Sequence, residues 1–393
     1  MAKLLQINEC LNFSTGKIAQ QIGEVAIDAG WESWIAYSGR QKRIPSKSHV
    51  IKVGSTFASI AHYANFRMFD KEGLSSNYQT KALIERIKSI APDIIHLHNI
   101  HDHWLNYELL FDYLAHINTP IVWTQHDCWA FTGGCMYYDL LRCNKWKEEC
   151  KQCPDRRSII NRSNYNYRNK NRYFSNLDRI VFVPVSDWLA NALRESAFSK
   201  KPIITIHNGI DVDTFRPLVR NKKNTKFNIL GVAAVWDARK GLDDFIKLRG
   251  LLSDEMFSIT LVGLNKKQIK SLPTGINGIE RTHNVDELVK LYSDADVFVN
   301  PTYSDNFPTT NIEALACGTP VITYNTGGSP EAIDDKTGFV IEQGNAGALS
   351  QAICKIMETP FDRKACRDRA VLLFDKNKRF EDYITLYNRL CAY

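Results

Sequence analysis

Short apolar runs that do not alternate recur along this chain, and each is followed by a stretch with helical spacing. Residues 3–8, 34–37, 94–98, 121–124 and 180–185 are such runs in the first half; 227–235, 257–262, 297–300 and 321–324 are their counterparts in the second. A strand apolar on both sides is covered on both faces, which is the situation of a parallel strand between helical layers. After the first run, Ile18, Ile22, Val25, Ala26 and Ala29 fall on one side of a helix that Ser14 or Thr15 can cap and Gly30 can end. Residues 243–252, 285–295 and 309–317 read as helices in the second half. This alternation predicts an α/β protein with a doubly wound, Rossmann-like sheet in each half. The polar stretch 216–226, with Pro217, Lys222, Lys223 and Asn224, is the expected junction, dividing domains 1–217 and 218–374.

The size agrees: 393 residues exceed one ordinary core and suit two. Hydrophobic residues at 44% and charged residues at 24% are globular proportions. No run of about 18 apolar residues is present, and the N-terminus turns polar too early for a signal peptide. The expectation is a cytoplasmic protein whose 10 cysteines stay reduced. The net charge of +7 is spread out rather than gathered on one basic element, so no nucleic-acid partner is expected. The same excess suits peripheral association with an anionic membrane face. No Gly-x-Gly-x-x-Gly follows the first strand and no Walker A sequence occurs, which disfavours nicotinamide, flavin and P-loop chemistry.

The most informative stretch is 303–320, Tyr-Ser-Asp-Asn-Phe-Pro-Thr-Thr-Asn-Ile-Glu-Ala-Leu-Ala-Cys-Gly-Thr-Pro. Pro308 sets the entry to a helix, Ala314 and Ala316 let it lie close to a sheet, and Gly318 and Pro320 stop it. A helix N-terminus at 309–311 offers N–H groups and a positive dipole end to a diphosphate. Glu313, one turn in, has the reach to accept hydrogen bonds from a ribose. Its alternative role is a solvated helix residue, at odds with apolar Ile312, Ala314 and Leu315 beside it.

The stretch resembles the C-terminal signature of family 4 (group 1) retaining glycosyltransferases, of the bacterial polysaccharide-biosynthesis type. The likeness lies in Asp305-x7-Glu313, in Cys317-Gly318-Thr319-Pro320-Val321-Ile322 and in Gly327-Gly328-Ser329-Pro330-Glu331. Upstream, the segment from His207 to Pro217 resembles the family's interdomain segment, and Arg239-Lys240-Gly241 its phosphate-binding turn. Weaker likeness runs through Thr124-Gln125-His126-Asp127 to the N-terminus. The resemblance implies a GT-B fold, two Rossmann-like domains facing across a cleft, with the C-terminal segment 375–393 returning to the first. It implies a nucleotide-sugar donor, UDP favoured, and a saccharide or lipid-linked acceptor. Lys240 and Arg239 would hold the donor diphosphate, Glu313 the ribose, and Asp305, Asn306, Phe307, Pro308, Thr309 and Thr310 the sugar and phosphates. His126 matches the family's active-site histidine, with a plain structural histidine as the alternative. Gly16 would let the first strand–helix loop approach the donor, with a plain loop glycine as the alternative. The implied transfer retains anomeric configuration and requires no cofactor; the leaving phosphate takes the acceptor proton while the protein positions and stabilises charge.

Two departures stand out. The first acidic position of the pair is Asp305 rather than Glu, one methylene shorter. Residues 233–236, Ala-Ala-Val-Trp, lack the cation the family often carries there. The other readings are a non-catalytic nucleotide-sugar-binding or regulatory homologue and a sugar-nucleotide epimerase.

Two further features stand apart. Cys135, Cys143, Cys150 and Cys153 fall close together and end in a C-x2-C pair. Reduced, they can make a structural zinc knot; buried free thiols and disulfides are the alternatives. Between 156 and 172 lie six basic residues, no acidic ones, and Tyr165 and Tyr167. Such a stretch can grip RNA, phosphorylated sugar or lipid headgroups, or be a solvated helix.

Overall fold

The computed structural model describes residues 1–155, 157–220 and 226–392. The chain divides into two compact units, one from Met1 to His207 together with the residues from Phe380 onward, the other from Asn208 to Arg379. The expected junction at 217/218 therefore lies inside the second unit. There, the backbone of Ile210 bonds to Phe374 and Lys376, and the Lys376 ammonium meets Asp211 at 2.7 Å. Residues 221–225 of the expected junction lie outside the described residues.

The first unit carries β1 (Lys3–Ile7), α1 (Phe13–Asp28), β2 (Glu32–Ser38), β3 (His49–Val53), α2 (Thr56–Phe69), α3 (Asn77–Ile90), β4 (Ile94–Leu97), α4 (Tyr107–Leu114), β5 (Ile121–Gln125), α5 (Ser163–Ser175), β6 (Ile180–Pro184) and α6 (Asp187–Glu195). All six strands are parallel, in the order β3-β2-β1-β4-β5-β6. Leu4, Ile94, Val122 and Val183 of the central strands pack with Ile18 and Ile22 of α1.

The second unit carries β7 (Phe227–Val232), α7 (Leu242–Leu251), β8 (Phe257–Val262), α8 (Lys266–Ser271), β9 (Ile276–Ile279), α9 (Val285–Asp294), β10 (Val297–Asn300), α10 (Thr309–Ala316), β11 (Val321–Tyr324), β12 (Gly338–Ile341), α11 (Ala346–Glu358) and α12 (Arg363–Phe374). Its order, β12-β11-β10-β7-β8-β9, repeats that of the first unit. A last helix, α13 (Lys376–Cys391), gives Phe380, Tyr383 and Tyr387 to the core of the first.

Strands β1 and β4, like β7 and β10, are neighbours whose connections leave in opposite directions. Each pair is a topological switch point, and the loops at its carboxyl ends border a ready-made crevice. Boundaries shift where local chemistry competes. Helix α1 starts at Phe13 and is capped by Asn12, without a side-chain bond, so Ser14 and Thr15 lie inside the helix. Strands β3, β9 and β12 escape the apolar-run criterion because they are edge-proximal and half exposed, as the HVIKV and INGI sequences show. No helix among the described residues is long and apolar enough to cross a membrane.

Candidate active site

In the second unit the site is built where β7 and β10 end. Trp236 is buried and donates its indole N–H to the Val262 carbonyl at 2.9 Å, fixing the exit from β7. Asp237 then caps a short 3-10 turn, Ala238–Lys240, by accepting the Arg239 N–H at 3.0 Å. That turn is laced to the loop after β10. The Arg239 carbonyl accepts from Tyr303 N–H at 2.7 Å and from the Thr302 hydroxyl at 3.2 Å. The Arg239 guanidinium donates to the Ser304 carbonyl at 2.9 Å and lies 3.8 Å from the Asp305 carboxylate. The Lys240 ammonium pairs directly with the same carboxylate. Arg239, Lys240 and Asp305, separated by 65 residues, thus form one partly buried cluster.

Gly327 sets the position of Asp305. Its φ of +53° is left-handed, and a Cβ there would sit 1.9 Å from the Asp305 carbonyl oxygen, which also accepts the Gly328 N–H at 3.0 Å. Gly327→Ala must therefore push the acidic loop outward and strain its own backbone. A loss of about 2 kcal/mol or more is expected, with weakened nucleotide binding. Thermal melting and calorimetric titration with a nucleoside diphosphate check this; a variant with wild-type melting and affinity would contradict the placement.

Helix α10 follows with Pro308 at its N-cap and no side-chain cap, so its first N–H groups are held by no capping side chain. Asn311 is buried and double-anchored, accepting from the Asn300 amide at 2.8 Å and donating to the Ser329 carbonyl at 3.2 Å. The far end is held by arginines of α12: Arg367 donates to the Ala316 carbonyl at 3.1 Å and Arg363 to the Cys317 carbonyl at 3.3 Å. These cations neutralise the negative end of the helix dipole and fix its axis. Glu313 is half-buried, and its Oε2 accepts the Tyr292 hydroxyl at 3.0 Å. Burial, reinforced by Glu313, raises the Tyr292 phenol far above its ordinary range, so it stays a donor. Thr309 and Thr310 are half-buried at the helix start, whereas Pro308 and Asn306 are buried. Phe307, expected among the donor-lining residues, is also buried and packs its ring 5.6 Å from Phe374.

In the first unit His126 follows β5 and belongs to a histidine chain. Its Nε2 lies 3.1 Å from His98 Nδ1, and His98 Nε2 lies 3.1 Å from Gln6 Oε1. The Gln6 amide nitrogen donates to the Ala19 carbonyl, which turns its oxygen toward His98. His98 therefore carries its proton on Nε2 and accepts on Nδ1, and His126 donates from Nε2, leaving its Nδ1 as an acceptor. Burial pushes His126 down to about 4 and His98 well below its usual value, so both are neutral at pH 7. Beside them, His101 meets Asp127 at 2.9 Å and Asp102 at 3.4 Å. Burial opposes its charge, but those two carboxylates win and raise it well above 6.5.

Gly16 is not in the strand–helix loop. It is in the first turn of α1, where a Cβ would lie 2.5 Å from the Leu11 carbonyl carbon. Its lack of a side chain serves close packing of that loop on the helix.

The basic stretch is largely absorbed by local partners. Lys170 is buried, donating to the Trp129 carbonyl with its ammonium 4.0 Å from the Trp129 ring centre. Arg157 lies 3.3 Å from both Glu72 and Asp155, Arg168 pairs with Glu149, and Arg162 stacks on Tyr165 at 4.2 Å. Arg156 lies outside the described residues.

The family profile described as "Glycosyltransferase Family 4" matches residues 18–214, and that described as "Glycosyl transferases group 1" matches 214–371. The chain belongs to the family 4, group 1 glycosyltransferases. It is 23% identical over 402 residues to the putative colanic acid biosynthesis glycosyl transferase WcaC of Escherichia coli K12, covering 95% of this chain and 96% of that one. Among solved structures it superposes on sucrose-phosphate synthase of Thermosynechococcus elongatus with a TM-score of 0.76 at 18% identity, spanning both chains fully. It also superposes on Anabaena Alr3699/HepE in complex with UDP and glucose, with a TM-score of 0.67 at 14% identity over 99% of this chain and all of that one. The fold of this glycosyltransferase is thus GT-B, with two Rossmann-like domains.

Sequence reasoning missed the supports of the site: Tyr292, Arg363, Arg367, Asn311, His98 and Gln6. Most carried no motif. For His98 a signal existed, since His96-Leu97-His98 at the end of an apolar run places polar rings in a sheet interior.

Proposed function

We propose that this glycosyltransferase takes a sugar from a UDP-sugar, with retention, onto a glycan or lipid-linked saccharide in cell-surface polysaccharide synthesis. The observation that carries the reading is the Arg239–Lys240–Asp305 cluster beside the N-terminus of α10. Two cations and a helix start with no side-chain cap meet at a switch point, an arrangement suited to a diphosphate leaving group. Glu313, held by the Tyr292 hydroxyl one turn into α10, is the residue offered to a ribose. Asp305 holds Lys240 and Arg239 in place before donor arrives. The donor phosphates then compete with that carboxylate for the same cations. The names of WcaC and of the capsular polysaccharide glycosyltransferase CapM of Staphylococcus aureus, 24% identical over 52% of this chain, support the polysaccharide setting. Alr3699/HepE, bound to UDP and glucose, supports UDP.

The test incubates the purified chain with a panel of UDP- and GDP-sugars, with and without membrane lipid extract, and measures released nucleoside diphosphate. Acceptor-dependent release from a UDP-sugar is the expected result. Donor bound without release in the presence of acceptor extract supports a non-catalytic homologue, and acceptor-independent interconversion of the sugar supports an epimerase. The product's anomeric configuration, read by proton NMR coupling, checks retention.

A further inference from the structure

We propose that Cys135, Cys143, Cys150 and Cys153 form a structural tetrathiolate zinc site that pins the long loop between β5 and α5. The four cysteines, scattered over a loop without regular secondary structure apart from two short 3-10 turns, line one small cavity of about 10 Å³, closed off by Trp146 and Leu141. That space has room for about one water-sized sphere, the scale of a single ion. The cavity is not a general polar hole, since its other walls are apolar side chains, glycine and lysine stems.

Three further observations point to a metal rather than to packed thiols. All four cysteines are free thiols, so the loop is not closed by disulfides. The Gly133 N–H donates to Cys150 Sγ at 3.1 Å, the kind of amide–sulfur bond that supports a coordinating thiolate. The Lys145 ammonium donates to the Lys151 and Gln152 carbonyls at 3.0 and 3.1 Å and holds the C-x2-C turn shut, with Gln152 in the left-handed region at φ +46°. Charge is also provided for. A zinc ion with four thiolates carries two net negative charges, and buried Lys170 together with Arg157 lies close enough to act electrostatically on Cys135. Lys170 is buried with its ammonium on the Trp129 carbonyl, and an anionic metal centre beside it would add to the counter-charge that Glu72 supplies.

In the thiol form, no three of the four sulfurs lie within 4.8 Å of one another among the described residues. A tetrahedral site with Zn–S near ~2.3 Å needs sulfurs about 3.8 Å apart. Loading therefore draws the sulfurs inward as each thiol gives its proton to solvent and its sulfur pair to the ion, four protons leaving for one Zn²⁺. Soft sulfur donors select zinc over hard divalent ions. The rival group Glu72, His101 and Asp102 is tighter, yet Arg157 and the protonated His101 already balance its charge. The loop so pinned begins at His126, and the Cys128 N–H bonds to Met136 O at 3.0 Å, so the metal would hold the end of β5 in place without touching substrate.

The test measures metal in the full chain purified without chelator, by plasma mass spectrometry, and repeats it on Cys150→Ser, Cys153→Ser and the control Cys354→Ser. One zinc per chain, kept in the control and reduced at least tenfold in the other two, is the expected result. Should the variants fail to fold, the wild-type chain is stripped with chelator and reloaded with Co²⁺. Sulfur-to-cobalt charge-transfer bands with tetrahedral visible absorption support the site. Absence of metal with no cobalt bands, zinc retained in both serine variants, or a native mass lower by two hydrogens per disulfide each overturns it. Failure here leaves the donor-site reading intact, because none of these readouts involves a nucleotide.

Discussion

Lys240→Ala is expected to lower kcat/KM for transfer by about 100- to 1,000-fold, with most of the loss in kcat. The Lys240 side chain is held at 18% exposure, and in the proposed function it faces the charge that grows on the leaving diphosphate. Removing it deletes stabilisation present mainly in the transition state. Ground-state donor binding should fall less, because Arg239 and the N-terminus of α10 remain. The variant should fold, since what is lost is one ion pair with a partly exposed Asp305 whose neighbour Arg239 stays 3.8 Å away. Glu313→Ala should act differently. It strips the partner from the buried Tyr292 hydroxyl, raising KM for the donor and costing about 1–3 kcal/mol of stability. Steady-state kinetics with thermal melting separate the two. Equal, small effects of both variants on kcat would sink the assignment of the cluster to the leaving group.

The first unit should lose stability steeply as pH falls from 7 to 5. His96 and His98 are held well below their usual value by burial, and burial pushes His62 down to about 3. Their unfolded pKa is near ~6.5. Below it the unfolded chain binds protons that the folded chain refuses, so stability is present above about pH 6.5 and is lost on acidification. By pH 5 His62 alone removes about 2 kcal/mol, and His96 and His98 add to the loss in the same direction. His126, at about 4, acts in the same direction. His101 has the opposite sign: its raised pKa contributes stability below about pH 6.5 that is lost only at higher pH. On acidification from pH 7.5 it therefore offsets part of the loss down to about pH 6 and little below that. Urea unfolding at pH 7.5 and 5.0 checks this, together with a His98→Gln variant expected to show a shallower slope. An unchanged or rising midpoint at pH 5 would refute the neutral histidine chain.

The sequence by itself determined the α/β class and the two-unit plan. Those are local properties: non-alternating strands are legible because burial on both faces keeps the run apolar without alternation, as in residues 121–123 and 297–299. Lys240 and Asp305 were singled out by their resemblance to the family's motifs, and Glu313 also by its place one turn into a helix beside apolar neighbours. Edge strands such as Ile276–Ile279 were not legible, since Asn277 and Gly278 break the apolar run and none of the four residues is fully buried. Only the tertiary structure decided that Lys240 meets Asp305, that Tyr292 steadies Glu313, that Arg363 and Arg367 cap α10, and that Lys170 is buried rather than offered to a ligand. Those outcomes join residues 21 to 65 apart in sequence, as with Tyr292 to Glu313 and Lys240 to Asp305. Their chemistry depends on burial and hydrogen-bond geometry, which strand order sets and which residue type alone does not encode.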